Sequence, residues 1–106
     1  MSSLDKLSAN IHRTAVEKGF WNHTPDINFV LSKIALIHSE GSEVLEAIRK
    51  EKGSLAITEE IADILIRTLD LYEGMRQAYR LPSLDNVMER KMNKNKTRPH
   101  MHGRLA

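Results

Sequence analysis

The sequence predicts an all-α protein: a helical bundle of two long antiparallel helices with a shorter helix at each end of the chain. Apolar residues recur every three or four positions over long segments, which is the spacing of one helix face. Only five of the 106 residues are aromatic, and Lys, Glu, Leu, Ile and Ala are common. That composition favours helices over a β-sandwich or barrel.

The first element is a predicted helix over residues 4–18. Four apolar residues recur in it at helical spacing: Leu4, Leu7, Ile11 and Ala15. Gly19 follows, where a C-terminal cap is expected. Residues 19–27 combine Gly, Asn, Thr and Pro, so they are predicted to form a loop, which holds the only tryptophan, Trp21.

Two long helices follow this loop. The apolar spacing predicts the first over residues 28–52, with Gly41 inside it, where close packing against another backbone would explain a glycine. Thr58 is a suitable N-cap for the second, which Pro82 ends. A helix this apolar on nearly all sides is typical of one buried by several neighbours.

The last predicted helix spans residues 84–96, with Ser83 as its N-cap. The net charge of +2 conceals a division at this end of the chain. Residues 1–89 hold ten basic and fourteen acidic residues, whereas residues 90–106 hold six basic residues and no acidic ones. A basic segment of this kind indicates nucleic-acid binding, phosphate binding or simple solvation.

Length and composition limit the class of protein further. A chain of 106 residues predicts a single domain over 1–106, with a margin of stability small enough to make a homo-oligomer a reasonable expectation. Without cysteine there is no disulfide or thiolate chemistry, and no apolar stretch is long enough for a membrane span or a signal peptide. We therefore expect a cytoplasmic protein without a membrane partner.

Acidic residues lie in single stripes on both long helices. The later helix carries one polar stripe: Glu60, Asp63, Arg67 and Asp70. The earlier helix carries a similar one: Lys33, Glu40 and Glu43. Carboxylates brought together from facing helices need a cation, and oxygen ligands suit Mg²⁺ or Mn²⁺ with a phosphate-bearing substrate. The alternative is that these residues belong to solvated faces.

These motifs resemble those of a known enzyme family. Glu40-Gly41-Ser42-Glu43 and Glu60-Ile61-Ala62-Asp63, sixteen residues apart, resemble the ExxE…ExxD signature of MazG-like all-α nucleoside triphosphate pyrophosphohydrolases. The segments LIHSEGSEVLEAIR and EEIADILIRTLD are similar to the metal-binding helices of that family. Residues 91–103 resemble the C-terminal segment of a small MazG-like subgroup, and GFW at 19–21 resembles the loop before its second helix.

The resemblance implies an activity and a set of site residues. The activity is hydrolysis of a nucleoside triphosphate, we expect a deoxynucleotide, between the α and β phosphates to give the monophosphate and pyrophosphate. The implied ligands of Mg²⁺, with Mn²⁺ as a possible substitute, are Glu40, Glu43, Glu60 and Asp63. We also expect Glu40 to orient the attacking water.

The same resemblance suggests residues that bind the substrate. Lys91, Asn95 and Arg98 share one face if the last helix continues that far, and they would contact phosphate oxygens. Trp21 is either part of the core or a platform on which the nucleobase stacks.

Two function classes compete on the sequence. The first is a Mg²⁺-dependent pyrophosphohydrolase of the nucleotide pool, working as a homodimer or a dimer-of-dimers tetramer. The second is a small helical module that binds nucleic acid or protein through its basic C-terminal segment and has no catalysis. Such a module would bind DNA with an affinity that falls steeply with salt, and it would not need a divalent cation. Because all four acidic positions are present, we favour the enzyme.

Overall fold

The computed structural model describes residues 3–22 and 24–99, and this part of the chain contains helices and no strand. Four helices follow one another: α1 Leu4–Glu17, α2 Ile27–Arg49, α3 Ser54–Tyr79 and α4 Leu84–Thr97. The all-helical fold class predicted from the sequence is therefore confirmed.

Side-chain caps start three of the four helices. Ser3, Asp26 and Ser83 each accept a hydrogen bond from the backbone N–H three residues later, as an N-cap does. The prediction of Ser83 is confirmed. The prediction of Thr58 as a cap was wrong, because α3 already begins at Ser54 and the Thr58 hydroxyl donates to the Ser54 carbonyl oxygen inside the helix. The intervening residues Leu, Ala and Ile extend the helix by a turn.

Helices α2 and α3 form an antiparallel hairpin. Glu51 and Gly53 in the connection adopt left-handed backbone angles, with φ of 52° and 96°, and turn the chain back. The hairpin brings Glu40 of α2 beside Arg67 of α3. At the other end, the Tyr79 hydroxyl donates to the carbonyl oxygen of Pro25 just before α2.

The core lies where α1 and the loop after it pack on this hairpin. Trp21, Val30 and Leu71 are its buried centre. Five partly buried residues surround them: Ala15, Phe29, Ile34, Ile37 and Met75. The tryptophan thus ties the loop to both long helices.

Close packing at a glycine occurs in α3 rather than in α2. A Cβ built at Gly74 would overlap the six-membered ring of Trp21. A Cβ built at Gly41 meets no atom within 4 Å, so the expectation of close backbone packing there was wrong for the described residues. Gly41 is exposed on α2, whereas Gly74 is buried.

Helix α4 projects from the bundle and packs against α1 near its start. It has no buried residue. Asp5 and Asp85 join the two helices reciprocally: the Asp85 carboxylate accepts from the N–H groups of Leu4 and Asp5, and the Asp5 carboxylate accepts from Leu84 N–H. The radius of gyration is 16.3 Å, where a compact chain of this length has about 13 Å. The fold is therefore more extended than a closed bundle.

Apolar side chains remain exposed on the long helices. Leu65 is 57% exposed and Ile66 is also exposed, whereas Leu69 and Leu71 are buried within the chain. Further exposed apolar residues lie on α2 and α3: Leu31, Leu36, Leu45, Ile48, Leu55 and Ile61. Among the helices of the described residues, none combines the length and apolar character that a bilayer crossing requires.

Candidate functional site

Three carboxylates from the two long helices meet on the α2–α3 hairpin. Glu40 of α2 and Glu60 and Asp63 of α3 each offer an oxygen, and these oxygens lie within 4.8 Å of one another. Glu60 and Asp63 share a face because they are three residues apart, and the antiparallel pairing sets Glu40 opposite them. We call these residues the carboxylate trio.

The trio is electrostatically unfavourable without a cation. Partial desolvation raises the pKa of the Glu60 carboxyl, and the negative charges of Asp63, Glu43 and Glu40 raise it further. An all-oxygen donor set with this much negative charge fits a hard divalent cation such as Mg²⁺ or Mn²⁺. The described residues therefore fit the metal that the motif implies.

Glu43 lies beside the trio rather than in it. Its side chain is exposed, and it is absent from the set of oxygens within 4.8 Å. Its charge nevertheless contributes to the raised pKa of Glu60, so it is electrostatically part of the same site. Of the four predicted ligands, the structure brings three into direct proximity and keeps the fourth at the edge.

Arg67 binds one carboxylate of the trio, that of Glu40. Its Nε donates to Glu40 Oε1 at 2.6 Å, and this pair joins α3 to α2. The Glu40 side chain is 14% exposed, whereas that of Arg67 is 44% exposed. One carboxylate of the trio is therefore already paired with a guanidinium.

A cavity of about 470 Å³ adjoins the trio and shares Asp63 with it. Its apolar walls come from α1, the following loop and α3: Ile11, Ala15, Phe20 and Ile66. Its polar groups include Lys18, Lys33, Arg67 and Asp70. Apolar walls beside cations and a carboxylate cluster suit a ligand with one flat apolar part and one anionic part.

Trp21 and Asp70 form the support of this cavity. The Trp21 Nε1 donates to both carboxylate oxygens of Asp70, at 3.0 and 2.9 Å, and His12 Nδ1 lies 2.8 Å from Asp70 Oδ1. Trp21 is only 8% exposed and is absent from the cavity wall. Its position therefore supports the core interpretation over that of a stacking platform.

Lys33 and Phe20 lie beside that core and line the cavity; Phe20 is exposed and Lys33 is half-buried. The Lys33 Nζ lies 5.0 to 5.8 Å from the ring centroids of Phe20, Trp21 and Phe29, within cation–π distance. Phe20 is 63% exposed and lines the cavity. An aromatic face and an ammonium thus sit side by side at the opening.

The predicted phosphate-binding residues of the C-terminal segment lie on α4. Lys91 and Asn95 are exposed in this helix, which packs against α1 rather than against the trio-bearing helices. The helix ends at Thr97, and Arg98 follows in an extended conformation, so the three residues do not continue along one helix face. Residues 100–106, the rest of the basic segment, lie outside the described residues.

The sequence pattern does not identify several residues that belong to the site. The sequence pattern puts Arg67 and Asp70 in the acidic stripe without indicating a role for either, and it does not single out Phe20 beside Trp21. The stripe of Glu60, Asp63, Arg67 and Asp70 carried the signal, because the last three of these line one cavity. The periodicity of one helix does not predict which residue of another element each of these side chains contacts.

Comparison with known proteins identifies a family. The model of the MazG nucleotide pyrophosphohydrolase domain matches residues 30–102, which include the whole trio and Glu43. Searches of curated proteins and of solved structures gave no match. The match covers more than half of the chain, and the chain therefore belongs to the MazG nucleotide pyrophosphohydrolase family.

Proposed function

We propose that the protein hydrolyses nucleoside triphosphates, deoxynucleotides in particular, between the α and β phosphates, releasing the monophosphate and pyrophosphate. Membership of the MazG family implies a hydrolase that acts on phosphoric anhydrides. The carboxylate trio borders a cavity that contains basic side chains, and this arrangement supports cleavage of a triphosphate at this site. This arrangement favours the enzyme over the non-catalytic nucleic-acid module.

Glu40, Glu60 and Asp63, with Glu43 at the edge, would hold Mg²⁺, for which Mn²⁺ is a possible substitute. Partial desolvation and the negative charges of the neighbouring carboxylates raise the pKa of Glu60, and this supports the assignment, because a cation offsets both effects. When bound, the ion supplies charge neutralisation for the phosphates.

Glu40 is our candidate for orienting the attacking water. Its carboxylate is sheltered, since the side chain is only 14% exposed. A sheltered carboxylate accepts the water proton as the oxygen attacks the α phosphorus. The bond from that phosphorus to the α–β bridging oxygen then breaks, and pyrophosphate leaves.

The adjoining cavity would take the nucleoside. Phe20 offers an exposed ring for the base, and Lys33 beside it offers an ammonium. We propose that Trp21 acts on the substrate through these neighbours, since its ring lies against Lys33 and its Nε1 fixes Asp70. Arg67 and Asp63 mark the end of the cavity nearest the trio, where the phosphates belong.

A homo-oligomer would give α4 a partner. The apolar residues Met88 and Met92 of this helix are exposed, as are Leu65 and Ile66 of α3. We propose a homodimer or a dimer of dimers in which such residues become buried. Lys91, Asn95 and Arg98 would then reach the phosphates bound by a neighbouring subunit.

The test is product analysis with each ribonucleoside and deoxynucleoside triphosphate in the presence of Mg²⁺. We expect equal amounts of monophosphate and pyrophosphate, with one or more deoxynucleotides preferred. Release of inorganic phosphate with the diphosphate would show that another bond is cleaved. No turnover of any nucleotide, together with DNA affinity that falls steeply with salt, would favour the binding module instead.

A further inference from the structure

Arg67 occupies a position that serves two parts of the site at once. On one side its Nε donates to Glu40 of the trio, and on the other it lines the cavity next to Asp63. Its side chain is nearly half exposed, so it has room to change rotamer. A guanidinium carries five N–H donors in a planar fork, which matches phosphate as well as carboxylate oxygens.

The bond to Glu40 conflicts with cation binding. Oε1 of Glu40 accepts from Arg67 at 2.6 Å, and the same carboxylate is a member of the trio. A divalent cation placed among the trio oxygens would lie within a few ångströms of the guanidinium, and two like charges at that separation repel. Either Arg67 moves away or the cation binds more weakly.

We propose that Arg67 is an exchangeable counter-cation: it neutralises Glu40 while the trio holds no metal ion, and it moves to the phosphates of the nucleotide when metal and nucleotide bind. This inference rests on the proposed function. Among the basic residues of the cavity wall, Lys33 lies over aromatic rings, whereas Arg67 is the one bonded to a trio carboxylate.

Such an exchange gives Arg67 opposite effects on two ligands. Without nucleotide it competes with the metal ion for Glu40, so it lowers metal affinity. With metal bound it contributes charge-assisted hydrogen bonds to phosphate, so it raises nucleotide affinity. A residue that only braced α2 against α3 would support both ligands in the same direction.

The experiment measures Mn²⁺ binding by calorimetry without nucleotide, for the wild type and for Arg67→Gln. We expect the Kd for Mn²⁺ to fall about two- to fivefold, as the loss of a partly exposed ion pair allows. At saturating Mn²⁺, the Kd for a deoxynucleoside triphosphate with a non-hydrolysable α,β-imido bridge should rise about tenfold in the same variant. Thermal melting confirms that the variant is folded, and Arg67→Met is the second variant if it is not.

Arg13→Gln is the matched control, because Arg13 is exposed on α1 and is not part of the cavity wall. It makes the same charge change and should leave both affinities within twofold. Unchanged or weaker Mn²⁺ binding in folded Arg67→Gln and Arg67→Met would overturn the exchange, as would equal tightening in the control. Wild-type protein that binds no Mn²⁺ would overturn the proposed function and this inference with it.

Discussion

At the scale of single residues, the site depends on how Trp21 is held. Its indole N–H bonds to Asp70, its ring lies edge-on to His12 and Phe29, and Gly74 leaves the space that the ring fills. Asp70 therefore serves as a structural acceptor at the cavity wall. This cluster supports the cavity wall that we propose contacts the ligand.

Gly74→Ala tests the packing of Trp21. The added methyl group would overlap the indole ring, which its bonds to Asp70 hold in place, so we expect the free energy of unfolding to fall by about 1–3 kcal/mol. Urea denaturation followed by circular dichroism measures it. Gly41→Ala is the matched control. Its methyl group enters open space in the middle of a helix, so the free energy of unfolding should rise by up to about 1 kcal/mol. Equal stability of Gly74→Ala and the wild type would disprove the close fit.

Residue spacing predicted the trio better than it predicted the partners of its members. Glu60 and Asp63 share a helix face by periodicity, and the hairpin places Glu40 opposite them. The Arg67–Glu40 bond and the Trp21–Gly74 contact join residues that are 27 and 53 positions apart. Such pairs depend on the packing register of two elements, which the pattern of one element does not contain.

At the scale of elements, α4 is attached to the bundle mainly by its first turn. Asp5 and Asp85 each accept N–H groups from the start of the other helix, where the helix dipole favours negative charge. The Ser83 hydroxyl also donates to Asp5, and the Tyr72 hydroxyl accepts from Leu84 N–H and donates to the Pro82 carbonyl oxygen. The sequence signalled the Ser83 cap, but it could not reveal a second cap 80 residues away.

Asp85→Asn should loosen α4. The N–H groups of Asp5 and Leu4 lower the pKa of the Asp85 carboxyl, which shows that they favour its charged form. The amide accepts more weakly, so we expect faster amide hydrogen exchange in α4 and the first turn of α1 at pH 7. Glu89→Gln, an exposed change on α4, is the control and should leave exchange unchanged. Unaltered exchange in Asp85→Asn would rule out the reciprocal cap.

The same contact predicts a dependence on pH. Because the folded pKa of Asp85 lies below the ordinary value, its contribution to stability is present above about pH 4 and is lost as the pH falls through the folded pKa. As the pH falls from about 4 to 2.5, the free energy of unfolding, measured by urea denaturation, should therefore decrease more for the wild type than for Asp85→Asn. Parallel losses in the two proteins would contradict this.

At the scale of the whole molecule, charge and apolar surface are both unevenly distributed. Residues 1–89 carry a net charge of −4 and residues 90–106 a net charge of +6. The extended shape leaves α4 and one side of the hairpin without apolar partners in the described chain. Both features fit an assembly of several copies in which basic and acidic regions of different subunits meet.

Leu65→Asp tests this assembly. A carboxylate at an apolar interface is costly to desolvate, so sedimentation should shift from a dimer or tetramer toward the monomer. Ala78→Asp introduces the same charge at another exposed position of α3 and should leave the mass unchanged. A monomeric wild type at micromolar concentration would refute the proposed oligomer.

Asp63→Asn shows whether the carboxylate trio supports hydrolysis of the triphosphate. The rate of monophosphate formation with Mg²⁺ and the preferred nucleotide is compared among wild type, Asp63→Asn and Glu59→Gln. We predict a loss of about a hundredfold or more for Asp63→Asn, which removes a trio charge at nearly constant size. Glu59→Gln, an exposed change on the same helix outside the trio, should stay within twofold of the wild type. Wild-type turnover in folded Asp63→Asn would show that the trio is not needed for hydrolysis.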